Sequence, residues 1–84
     1  MLPNEKLVTA AVKRHFGERA AQAKAILDRY GRNPDERDRA VVQMAILKLS
    51  DGDLEKLRDL VEVARQDYRD VLYWAEEARK PRLP

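Results

Sequence analysis

Apolar residues recur at alternating spacings of three and four along the C-terminal part of the chain: Leu54, Leu57, Val61, Ala64, Tyr68, Val71, Ala75 and Ala78. Such a stripe, sustained over close to four heptads, predicts one long amphipathic helix. Leu60, Leu72 and Trp74 flank the stripe and widen it beyond a two-helix seam. Ser50 and Asp53 have capping-box spacing, and Asp51, Asp53 and Glu55 load the positive end of the helix dipole. Arg79 and Lys80 sit at the negative end, and Pro81 stops the run. The predicted helix covers residues 51–80 and leaves 81–84 as a tail.

A denser apolar block precedes it. From Ala40 to Leu49 only Gln43 and Lys48 are polar. A helix that is apolar nearly all round is buried on more than one side, so this one is predicted to be central. Asn33 as N-cap, Pro34 in the first helical position, and Asp35 and Glu36 in the first turn place it at 34–49.

In the first third, Asn4 offers a cap and Gly31 a helix-ending glycine. Val8, Val12, Phe16, Ala20, Ala23, Leu27 and Tyr30 stay on one broad face. Gly17 divides the reading. Lys13, Arg14 and His15 before it look like a helix end, yet Glu18 and Arg19 provide no N-cap for a restart. A glycine inside a helix costs only ~1 kcal/mol. The favoured expectation is one helix over 5–30, within a single all-α domain of three helices spanning 1–84. A break at Gly17 makes it four.

Length turns this pattern into an expectation about assembly. At ~1.5 Å per residue the last helix spans about 45 Å and the central one about 24 Å. With a tight turn at Ser50 they form an antiparallel hairpin, and the central helix runs out near Tyr68. Two apolar ends are then left over: Val71, Leu72, Tyr73 and Trp74 at one, and Val8, Val12 and Phe16 at the other. A two-fold homodimer offers each patch twice and covers both, and a protein partner is the other occupant.

Composition narrows the chemistry. An 84-residue chain has room for one modest core, and without cysteine it has neither disulfides nor thiolate metal ligands. Charged residues make up 38% of the chain, but 17 bases nearly balance 15 acids, which suits solvated helix faces and not a disordered polyelectrolyte. No apolar run approaches the ~20 residues of a membrane span, and the N-terminus lacks a secretory layout, so a cytoplasmic protein is expected. His15, Ser50 and Thr9 are each the sole residue of their type. A nucleophilic triad, a histidine zinc site or a Glu-x-x-His di-iron motif needs more than they supply, and three scattered glycines build no phosphate loop. Neither catalysis, metal nor cofactor is expected.

Nucleic acid is the rival partner. Residues 1–33 carry seven bases against three acids, whereas residues 34–84 carry ten against twelve. Lys13, Arg14 and Arg19 are the candidate phosphate contacts. The cluster lacks interleaved aromatics, and the turn at Ser50 to Asp53 is acidic, so a non-enzymatic, self-associating interaction or scaffold module leads and a nucleic-acid-binding accessory protein is the alternative.

The segments Ile26-Leu27-Asp28-Arg29-Tyr30-Gly31, Leu47-Lys48-Leu49-Ser50-Asp51-Gly52-Asp53-Leu54 and Tyr68-Arg69-Asp70-Val71-Leu72 together resemble short bacterial all-α proteins with no assigned function. The resemblance covers about the last two thirds of the chain and implies a bacterial, cytoplasmic source. It carries no activity, cofactor or site residue with it.

Overall fold

Asn4 opens the first helix as the sequence predicts: it is extended, and its side-chain oxygen accepts from the Leu7 N–H at 3.0 Å. A computed structural model describes residues 4–34 and 36–79, and every regular element in them is helical. The order is α1 (Glu5–Phe16), a 3-10 turn (Gly17–Arg19), α2 (Ala20–Leu27), α3 (Arg39–Ser50) and α4 (Leu54–Arg79). The expected helix end at Lys80, the tail at 81–84 and the placement of Asp35 lie outside the described residues.

The all-α expectation holds, but the favoured continuous first helix does not. Gly17 adopts φ 53°, ψ −117°, a conformation open in practice to glycine alone, and its N–H donates to the Lys13 carbonyl. The chain restarts through the 3-10 turn with no side-chain cap, so the missing N-cap at Glu18 and Arg19 was no obstacle. Breaking here lets both halves use their apolar faces. Val8, Ala11, Val12 and Phe16 from α1 join Ala23, Leu27 and Tyr30 in one core cluster.

The centre of that cluster is α3. Val42, Gln43, Ala45, Ile46, Leu47 and Ser50 are buried, and only Lys48 is exposed. The helix starts at Arg39, five residues later than the predicted start at 34, because the intervening acid is used elsewhere. Glu36 turns back, and its Oε1 accepts from the N–H groups of Gly31, Arg32 and Asn33 at 2.8, 3.0 and 3.3 Å. Three backbone donors thus find a carboxylate whose side chain is only 6% exposed, and Arg65 Nε lies 3.6 Å from its other oxygen. Burial pushes the Glu36 carboxyl up, but the three N–H groups and Arg65 outweigh it and hold it below its ordinary value. Tyr30 closes the same loop, its hydroxyl donating to the Arg37 carbonyl at 2.7 Å. Burial, then the charges of Glu36 and Asp38 and the neighbouring Tyr68, push that phenol up to about 12.

At its two ends α3 is tied to α1 and α2. Arg39 reaches Glu5 at 3.4 Å and Asp28 at 2.9 Å, and Asp28 also takes Lys24 at 2.8 Å. Burial raises the Asp28 carboxyl, and these two cations more than reverse it. At the far end the α3–α4 turn abuts α1, where a side chain on Gly52 would come within 3.1 Å of the His15 carbonyl oxygen.

The fourth helix departs from prediction twice. It begins at Leu54 with Asp53 as its cap, accepting from Glu55 and Lys56 N–H at 2.9 and 3.2 Å, whereas Ser50 ends α3 and donates to the Leu47 carbonyl at 2.9 Å. It is also not straight. Asp67 takes an extended conformation, φ −157° and ψ 99°, and interrupts the helix. Its Oδ1 accepts from the Arg69 N–H at 3.0 Å and pairs with the Arg69 guanidinium, so Asp67 caps the final segment as a new start. The hydrogen bonds and charge of Arg69 hold its carboxyl low.

That interruption removes the overhang expected from length. After it, Leu72, Ala75, Glu76 and Arg79 border Val41, Met44 and Lys48 of α3 and Arg14 and His15 of α1. Val71 and Ala75 are buried in the core of their own chain, together with Leu57, Val61 and Ala64 from before the bend. Ala78, the last member of the predicted stripe, is exposed.

Candidate functional site: a groove over the central helix

α1 and α4 pack against α3, and they do not close around it. One strip stays open between the end of α1 and the final segment of α4. Its floor is the i, i+3, i+7 row of Val41, Met44 and Lys48 with Ala45 beside it; Val41 and Met44 are half-buried. Arg14 and His15 of α1 form one wall, and Leu72, Ala75, Glu76 and Arg79 of α4 form the other. The trough holds about 680 Å³.

The sequence explains each part. Met44 and Val41 belong to the apolar run from Ala40 to Leu49 that makes α3 apolar nearly all round. Arg14 and His15 stand at the rim because α1 ends at Phe16 and places its basic last turn there. Leu72, Ala75, Glu76 and Arg79 stand at i, i+3, i+4 and i+7, so the last segment presents one continuous flank. The rim carries three bases, Arg14, Lys48 and Arg79, against one acid, Glu76, which pairs with Arg79 at 3.6 Å.

Of the residues expected at an interface, Leu72 alone borders this groove. Val8, Val12, Phe16 and Val71 are no more than 6% exposed and are core, so they present no surface to a partner. The physical reason is the pair of breaks, at Gly17 and Asp67, that folds the two expected overhangs inward. Tyr73 and Trp74 do remain at the surface, 63% and 43% exposed.

The candidate phosphate contacts are not gathered. Lys13, Arg14 and Arg19 are all exposed, but Lys13 lies over a cleft with Thr9, Val12, Ala20, Ala21 and Lys24, whereas Arg14 borders the groove. Arg19 sits in the 3-10 turn. A different basic convergence, which charge counting along the sequence could not see, brings Arg29, Arg32, Asn33 and Arg65 to one small cleft. Arg65 there is occupied by Glu36 and Glu62, each at 3.6 Å, and Arg32 donates to the Asp28 carbonyl.

Among the described residues, no three His, Asp or Glu side chains are grouped to hold a metal ion, and no helix is long and apolar enough to cross a membrane. No protein-family model, characterised protein or solved structure matches this chain.

Proposed function

We propose that this chain is a non-enzymatic interaction module whose working surface receives a helix from another protein. The observation that carries this reading is the uncovered strip of α3. A central helix that is apolar on nearly every side leaves Val41 and Met44 only half-buried and Lys48 exposed along one trough. Two flanking helices leave a trough there, and an added helix completes the layer in the way that amphipathic helices enter apolar grooves. Selection from an unbiased display library of helical peptides tests it. Binders are expected to weaken when Met44 is replaced by Gln, a change that keeps length and helix propensity but makes the floor polar. An empty selection, or binders indifferent to Met44→Gln, would count against the reading.

Self-association is the second reading, and Tyr73 and Trp74 favour it. Large aromatics left exposed on a helix are the residue types that anchor interfaces. Trp74→Ala is expected to lower the sedimentation mass at micromolar concentration while changing thermal stability little, because the side chain is 43% exposed in the single chain. A wild type that sediments as a monomer excludes this second reading and leaves the first standing. A bacterial, cytoplasmic setting belongs to the same proposal, resting on the resemblance.

A further inference from the structure

We infer that the helix received by the groove is acidic on its polar face, an amphipathic segment with Glu or Asp flanking its apolar stripe. This rests on the helix-binding reading above and specifies its partner. Arg14, Lys48 and Arg79 stand around the trough, and Arg14 and Lys48 form no ion pair with a described residue. Glu76 is the one acid in the lining, and Arg79 already engages it. The surplus positive charge therefore stands on the α1 wall, at Arg14, and at the end of the floor, at Lys48, while the α4 wall is neutral.

Three alternatives fit less well. A second copy joined face to face across a two-fold axis sets basic rim against basic rim. An alkyl carboxylate matches the charge, but the trough is open along its top, so a bare chain stays wet on one side. Nucleic acid matches the charge too, yet the floor of Val41 and Met44 is aliphatic and His15 is the one ring in the lining, too little for a run of stacked bases. An amphipathic helix brings apolar side chains for the floor and its own polar face for solvent. The floor from Val41 to Lys48 is about 10 Å long, enough for two turns of such a helix.

The test is a titration of the labelled full chain, followed through backbone amide shifts, with three synthetic helices. They share one apolar face and carry glutamate, glutamine or lysine on the other. The glutamate helix is expected to shift the amides of Val41, Met44 and Leu72 and to bind roughly tenfold tighter than the glutamine helix at low salt, with the margin shrinking as salt rises. Arg14→Glu combined with Lys48→Glu, both exposed positions, is expected to reverse the order and favour the lysine helix. Equal binding of all three in the groove overturns the acidic partner but leaves the helix-binding reading intact. Tighter occupancy by dodecanoate, or by duplex DNA or RNA, overturns it in favour of that ligand. If no helix moves the groove amides the acidic partner also falls, and the library selection with Met44→Gln judges the broader reading separately.

Discussion

Gln43→Glu is expected to leave the chain largely unfolded at neutral pH, and Gln43→Met to cost it about 2 kcal/mol. Gln43 is wholly buried in the middle of α3, and its Nε2 donates to the carbonyls of Leu27 and Tyr30, both at 3.1 Å. Those carbonyls lie where α2 ends, so one side chain of the central helix closes the neighbouring helix. Methionine fills the same volume but donates nothing, and the Tyr30 carbonyl is left without that bond. Part of the loss is offset, because Gln43 Oε1 has no partner among the described residues and its burial is itself unfavourable. Glutamate is worse. It sets an unpaired charge against two acceptors, a situation that costs about 3–5 kcal/mol. Only its protonated form can donate. Burial raises such a carboxyl above its unfolded value, so the variant should regain stability as pH falls and lose it as pH rises. Thermal melts followed by circular dichroism read both effects. For a chain of this size a loss of 2 kcal/mol lowers the midpoint by roughly 8–16 °C. A Met variant melting with the wild type would show that Gln43 only fills space.

The contrast between Gln43 and its neighbours shows what a sequence pattern can report. Ala40 to Leu49 announced a helix buried on more than one side, and α3 is that helix. The stripe from Leu57 to Ala75 announced which face of α4 is buried, and Leu57, Val61, Ala64, Val71 and Ala75 are buried. Periodicity reports burial because most buried positions are apolar, Gln43 and Ser50 being the polar exceptions among the described residues. It does not report direction. At Asp67 the spacing of Ala64, Tyr68 and Val71 stays in phase while the axis breaks, so the stripe conceals the interruption. A signal was present nonetheless. Asp67 and Asp70 stand at the same three-residue spacing as Ser50 and Asp53, a capping signal set inside the heptad run.

Gly17 shows the opposite error. The basic residues before it were correctly recognised as a helix end, then discounted because no cap followed. A 3-10 turn carries the chain into α2 without one. The groove depends on both breaks, since one sets where the Arg14 wall stops and the other brings Leu72 and Arg79 over α3. A site assembled by two changes of direction leaves no compact motif in the sequence. For that reason only Leu72 was named in advance as an interface residue among those that line it.

Glu36→Gln is expected to cost about 2 kcal/mol at neutral pH, with a further consequence for the groove. The carboxylate receives three backbone N–H groups on one oxygen and faces Arg65 with the other. Hydrogen bonds to a charged group contribute about 1.5–3 kcal/mol against 0.5–1.5 for neutral ones, and the Gln amide would turn donors toward Arg65. The sign of the pH dependence follows from the lowered carboxyl. Its ordinary value is 4.5 and the fold holds it below that, so its stabilisation is present above pH 4.5 and is lost as pH falls through the folded value. The gap between wild type and Glu36→Gln should therefore narrow in acid. Asp28, also held low, adds a loss of the same sign to both proteins and leaves the difference untouched. Arg65 is two residues before Asp67, so the Glu36 contact also helps fix where the last segment of α4 begins. Loosening it should broaden the amide signals of Leu72 and Ala75 before those of Leu57 and Val61. A gap that stays constant from neutral pH into acid would mean that the charge on Glu36 does not hold this loop.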